Sequence, residues 1–170
     1  TGMNSIKSIS KTVQVLNKEK IPHILLHCVN LYPVDYNLIR LNRILLLKKK
    51  FPKSLIGYSD HSIGNAIPIA AMGLGAKLVE KHFVISKKRK GPDTICSMDS
   101  LEFKQLLENA KIIHKSLTFK EDIIKEEDVT RRFAFHSVVS KKDIFKNQKL
   151  SLKNLTTKRP GTGDFPASEI

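Results

Sequence analysis

Through the first 116 residues, segments with helical spacing alternate with short, continuous apolar runs, and this alternation constrains the fold more than any other feature. Ile6, Ile9, Val13 and Leu16 repeat at helical spacing behind Asn4 or Ser5, either of which can cap a helix start. Pro22 breaks the chain, and Ile24 to Cys28 is then an apolar run of the kind buried on both faces of a parallel sheet. Leu38, Leu41 and Leu45 predict a second amphipathic helix, stopped by Phe51-Pro52. Leu55 to Tyr58 is a second strand, Ala66 to Leu74 a helix ended by Gly75, and Lys77 to Phe83 a third strand. A last helix covers Leu101 to Leu117, with Asp99 or Ser100 as its cap. Such an order implies parallel strands joined by right-handed crossovers.

A doubly wound sheet and a (β/α)₈ barrel both satisfy that order. The strand ends separate them, because barrel chemistry sits where strands finish. The first strand runs into His27-Cys28-Val29-Asn30-Leu31-Tyr32-Pro33, the second into Ser59-Asp60-His61-Ser62, and the third carries Glu80-Lys81-His82-Phe83. No GxGxxG follows any strand, which counts against a dinucleotide fold. Three βα units are under half a barrel, so the chain reads as a piece of a longer α/β protein.

Beyond Leu117 the texture changes. Residues 119–136 read as a polar connector, and residues 137–170 as a small β-rich domain. Its strand-like pieces are Ser137-Val138-Val139-Ser140, Lys141 to Ile144, and Leu150-Ser151, followed by the turn-rich Arg159-Pro160-Gly161-Thr162-Gly163-Asp164.

Thirty Lys and Arg against 16 Asp and Glu give a net charge of +14, which raises nucleic acid, an anionic membrane or an anionic substrate as partners. The basic residues are mostly lysine, in short clusters such as Lys48 to Lys50 and Lys87 to Lys90, and aromatics are 6% with no Trp. Little is present to stack bases on, or to read phosphate in arginine forks. A basic polyanion- or nucleic-acid-binding module is the alternative from another class; neither nucleic acid nor membrane is the expected partner. No apolar run approaches the roughly 18 residues needed to cross a bilayer. No signal peptide opens the chain, and Cys28 and Cys96 lack metal or disulfide spacing, so a cytoplasmic setting is expected.

His61 and His82 stand at the ends of neighbouring strands, where their imidazoles can converge on a divalent transition metal with positions left for water or substrate. Glu80 and Asp93 could add oxygen donors or orient the ligands. The alternative is that each histidine only hydrogen-bonds locally. Ser59, Asn30, Thr1 and Gly2 lie at equivalent strand ends and could bind phosphate oxygens, or serve as polar caps. Gly91-Pro92-Asp93 reads as a turn. His23, His114 and His136 have no functional reading from spacing.

Taken in order, Thr1-Gly2-Met3-Asn4, His27 to Pro33, Gly57-Tyr58-Ser59-Asp60-His61, Glu80-Lys81-His82-Phe83, Gly91-Pro92-Asp93, Phe133-Ala134-Phe135 and Arg159 to Phe165 closely resemble N-acetylneuraminate (sialic acid) synthases. The resemblance covers essentially the whole chain. It implies the C-terminal portion of a (β/α)₈ barrel, residues 1–118, followed by an incomplete antifreeze-like (SAF) domain, residues 137–170. It also implies condensation of phosphoenolpyruvate with open-chain N-acetylmannosamine, giving N-acetylneuraminate and phosphate. Legionaminic or pseudaminic acid synthases of the same family share the histidine motifs. Asn30-Leu31-Tyr32 and Phe133-Ala134-Phe135 are closer to the neuraminate type.

The resemblance makes His61 and His82 ligands of a divalent ion, Mn²⁺ with Mg²⁺ or Co²⁺ as alternatives. Asn30 and Ser59 would hold phosphoenolpyruvate, while Tyr32, Asp93, Phe133 and Arg159 would contact the sugar. Glu80 and Asp93 would be the catalytic carboxylates, and a homodimer with swapped SAF domains would complete the assembly. The chain departs from the family in lacking the first barrel strands with their phosphate-binding lysines, and in placing His136 where a small residue is usual. This chain alone is therefore expected to be inactive.

Overall fold

The computed structural model describes residues 1–117 and 123–170. Two compact units divide the chain, Thr1–Thr118 and Phe119–Ile170.

The first unit is an α/β layer. Helix α1, Ile6–Lys18, starts where Ser5 accepts the Ser8 amide, and it buries Ile9 and Val13. Strands β1 (Ile24–Cys28), β2 (Leu55–Asp60) and β3 (Val79–Lys81) form a three-stranded sheet in the order β1-β2-β3, with both neighbouring pairs parallel. Register pairs Cys28 with Ser59, Ser59 with Glu80, and Asp60 with Lys81, so the polar strand ends lie level. Central β2 is buried from Ile56 to Asp60, as a strand covered on both faces must be. It approaches its neighbours so closely that a Cβ at Gly57 would lie 2.5 Å from Leu26 and 2.6 Å from the Leu78 carbonyl. Leu25, Ile56 and Tyr58 pack with Ile44, Leu47 and Ala71 to make the core.

The second helix differs from its expectation. Tyr36–Leu38 is a separate 3-10 turn, and α2 spans only Asn42–Lys50. Arg40 has φ of 54°, a left-handed conformation that interrupts the helix Leu38 would have opened. The buried face is consequently Ile44 and Leu47, while Leu38 and Leu45 are exposed. Helix α3, Ala66–Gly73, ends before Gly75, whose φ is 90°. Helix α4, Ser100–Ser116, opens on a full capping box: Asp99 accepts from Glu102, and the Glu102 carboxylate accepts from the Asp99 amide.

In the second unit, Asp128–Ala134 form helix α5 inside the stretch that reads as a connector, and Phe133 lies on it. Ser137–Ser140 (β4) pairs antiparallel with Leu155–Lys158 (β5). The strand pieces expected at Lys141 to Ile144 and at Leu150-Ser151 are irregular instead. Buried Asn154 organises that segment, accepting from the Ser151 amide and donating to the Lys149 carbonyl. Among the described residues no helix is long and apolar enough to cross a membrane.

Candidate active site at the strand ends

His61 and His82 each follow the last residue of a strand, and their ring centroids are 5.2 Å apart. Tyr32 completes the group. Its ring lies 4.0 Å from that of His61 and meets His82 edge-on at 5.7 Å. Asp93 reaches the same place because its loop is closed at the base, where the Met98 amide donates to the His82 carbonyl and the Val84 amide to the Met98 carbonyl. The Asp93 carboxylate then stands 3.8 Å from His82 Nδ1. Four of the residues expected in the site are thus brought together.

The donor chemistry of the two histidines suits a divalent ion. His61 Nδ1 lies 2.8 Å from the Val29 carbonyl, which can only accept, so the proton is on Nδ1 and the lone pair on Nε2. Metal-binding imidazoles are commonly oriented by such a bond through the other nitrogen. His61 is 5% exposed, whereas the His82 side chain is 35% exposed and opens the site to solvent. Among the described residues no cluster of three or more His, Cys, Asp or Glu side chains has metal-binding geometry. These residues therefore offer a two-nitrogen set whose remaining positions would fall to water or substrate.

Ser59 and Glu80 are joined directly, the serine hydroxyl donating to the glutamate at 2.7 Å. Both line a cavity of about 180 Å³ with Lys81 and His82. Alternation along the strands puts Ser59 with His61 and Glu80 with His82 on one side, which explains the shared cavity. Asn30 is exposed beyond β1 and lies against Gly2, where an added Cβ would come within 1.8 Å of Asn30 Oδ1. Any larger residue at position 2 would displace that amide. Asn30 also borders a cavity of about 460 Å³ shared with Cys28, Arg40 and Arg43.

Phe133 and Arg159 belong to the second unit, where both are exposed. The segments bearing them run side by side, because the Gly161 amide donates to the Arg132 carbonyl. Ser137 pins the loop after Arg159, donating to the Pro160 carbonyl and accepting from the Gly163 amide. His136 Nδ1 lies 3.5 Å from Thr157 Oγ1.

Sequence reasoning passed over three groups. Asp60 and Lys81 form an ion pair at 2.5 Å, fully buried, directly before the two histidines. Tyr58 donates to the same carboxylate, and burial, followed by the Asp60 charge, pushes its hydroxyl far above the ordinary tyrosine range. Buried His27 donates through Nε2 to the Ile39 carbonyl, which fixes Nε2 as the protonated atom; Nδ1 has no partner among the described residues. The signal for the ion pair was present in the sequence. Adjacent parallel strands each ended in a charged residue followed by His, and only the register was lacking.

Burial holds the His27 pKa below 6.5, so the folded protein resists protonation there while the unfolded chain does not. The unfolded state then binds more protons below pH 6.5, and stability falls as pH is lowered through that region. His27→Gln in the full-length protein should flatten the decline of Tm between pH 6.5 and 5, measured by calorimetry. An identical slope in wild type and variant would remove His27 as its source.

A family model described as the NeuB family matches residues 1–122. An uncharacterized protein of Methanocaldococcus jannaschii is 40% identical over 166 residues, 96% of this chain and 49% of its own length. An N,N'-diacetyllegionaminic acid synthase of Campylobacter jejuni is 39% identical over 167 residues, 96% of this chain and 50% of its own length. The chain spans about half the length of these relatives. Among solved structures, the N-acetylneuraminic acid (sialic acid) synthetase of Leptospira borgpetersenii aligns with a TM-score of 0.71 at 35% identity, covering 76% of this chain and 45% of that one.

Proposed function

Since the chain belongs to the NeuB family, we propose that the complete protein condenses phosphoenolpyruvate with an open-chain N-acetylated amino sugar, releasing phosphate. The convergence of His61, His82, Tyr32 and Asp93 at level strand ends is the observation that carries this reading. The parallel sheet would be part of an eight-stranded barrel, and the second unit part of an antiparallel SAF-type domain serving a homodimer.

His61 and His82 would hold the divalent ion, Mn²⁺ on this reading, and when bound it supplies Lewis-acid stabilisation of the alkoxide that develops on the sugar aldehyde. In the reaction, C3 of phosphoenolpyruvate bonds to the aldehyde carbon and leaves positive charge at C2. Water adds to C2, and the tetrahedral intermediate expels phosphate by C–O cleavage. Phosphoenolpyruvate, sugar and water thus give the lengthened acid and phosphate. Ser59 and Asn30 would orient phosphoenolpyruvate oxygens, and Tyr32 and Asp93 the sugar. Glu80, which accepts a hydrogen bond from Ser59, would carry a proton between solvent and the aldehyde oxygen. Phe133 and Arg159 would contact the sugar from the second unit.

N-acetylmannosamine is the proposed acceptor, favoured by the wording of Asn30-Leu31-Tyr32 and Phe133-Ala134-Phe135. A diacetamido sugar leading to legionaminic acid is the second reading, favoured by the Campylobacter relative. With full-length protein, phosphate release from phosphoenolpyruvate should require one of these sugars, stop with EDTA and return with Mn²⁺. Release at the same rate without sugar would overturn condensation as the activity.

A further inference from the structure

We propose that Asp60, Lys81 and Ser62 form a buried clamp that fixes the separation of His61 and His82, making them positioning residues for the metal the pair would hold. The inference rests on the proposed function and deepens it. Asp60 and Lys81 are the last residues of β2 and β3, and they face one another in the sheet register. Each immediately precedes a histidine of the pair, and their side chains are 0% and 1% exposed.

Every bond of this group ties down the chain around the histidines. Asp60 Oδ1 accepts from the Tyr58 hydroxyl and from the Ser62 amide, both at 3.0 Å. Asp60 Oδ2 accepts from Ser62 Oγ at 3.0 Å and from Lys81 Nζ at 2.5 Å. Lys81 donates again to the Ser62 carbonyl at 2.7 Å. His61 is therefore the middle residue of a turn whose two flanks are held by one carboxylate. The ammonium holding that turn from β3 belongs to the residue before His82.

Stability gives little reason for this arrangement. Stripping water from a carboxylate and an ammonium costs free energy that their attraction often only balances, and apolar replacements are frequently no less stable. Geometry gives a better one. Two ligands on separate strands hold one ion well only if their spacing is fixed before it arrives. Partners behind the ligands of known metal sites commonly change metal affinity ten- to a hundredfold when lost.

The test uses full-length protein and Mn²⁺ alone, with free Mn²⁺ read by electron paramagnetic resonance and Tm read in parallel. The doubly neutral Asp60→Asn/Lys81→Met variant should keep a cooperative melt yet bind Mn²⁺ at least tenfold more weakly. Should that variant fail to fold, Ser62→Ala, which removes only one hydroxyl, provides the reading, and a three- to tenfold loss is expected. A folded variant with Mn²⁺ affinity within twofold of wild type overturns the clamp. Wild-type protein that is folded and binds no Mn²⁺ overturns the metal reading beneath it, an outcome distinct from equal binding by wild type and variants.

Discussion

Alanine at His61 or at His82 of the full-length protein should lower kcat/KM for the proposed condensation by a thousandfold or more. On the proposed reading each would supply one of the two nitrogen donors to the ion, and Lewis-acid stabilisation of a developing alkoxide is worth several kcal/mol. A loss of about 4 kcal/mol corresponds to roughly a thousandfold in rate. Mn²⁺ affinity should fall in parallel, because on the proposed reading the remaining imidazole would hold the ion alone. His61 also bonds the Val29 carbonyl and stacks near Tyr32, so its variant calls for a Tm comparison. His82 makes no hydrogen bond through its side chain among the described residues, and its variant should melt close to wild type. His114→Ala, on α4, is the control and should stay within twofold. A loss of only a few-fold in a folded His82→Ala protein would remove the metal role from this pair.

Arg159→Ala should cost about ten- to 150-fold in kcat/KM, since a charge-assisted hydrogen bond to the sugar is worth roughly 1.5–3 kcal/mol. Folding should survive, because the exposed guanidinium makes no hydrogen bond or ion pair among the described residues and the following loop is pinned by Ser137. A homodimer with swapped domains, as the proposed reading has it, would make a sharper expectation. Mixing full-length Arg159→Ala with full-length His61→Ala subunits should restore activity, approaching half of wild type per mixed dimer, since one site then has both residues intact. Mixed dimers that demonstrably form and remain inactive would show that Arg159 does not serve the partner's site.

How much of this was legible depended on the range of the interactions. The cap at Asp99 and the breaks at Pro22 and Gly75 are decided within a few residues, and the pattern shows them. Strands β1 and β2 showed through the apolar runs at Ile24-Leu25-Leu26 and Leu55-Ile56, whereas β3 is only Val79-Glu80-Lys81, shorter than the Lys77 to Phe83 expected. Helix α2 was misjudged because the left-handed turn at Arg40 carries no glycine to announce it. Helix α5 was overlooked because Asp128-Val129-Thr130-Arg131-Arg132 has too few apolar positions to show a period, and its one ion pair among the described residues is the local Asp128–Arg131 contact. Strand β5 eluded the pattern since Leu155-Thr156-Thr157-Lys158 is polar and pairs with a strand 15 residues earlier in the chain. In the candidate site, residue type and strand-end position singled out the two histidines whose rings the structure brings together. The Val29 carbonyl beneath His61 and the Asp60–Lys81 pair depend on register between strands, which spacing along one chain does not encode.

Oxygen labelling of phosphoenolpyruvate tests the central claim most directly. Full-length protein would be given Mn²⁺, N-acetylmannosamine and phosphoenolpyruvate carrying ¹⁸O in the bridging C–O–P position, with products read by mass spectrometry. Condensation by C–O cleavage predicts unlabelled N-acetylneuraminate, or the corresponding acid of a diacetamido sugar, with the label entirely in phosphate. Label retained in pyruvate or in the sugar acid, with unlabelled phosphate, would mean P–O cleavage and would contradict the proposed reaction at the His61–His82 site.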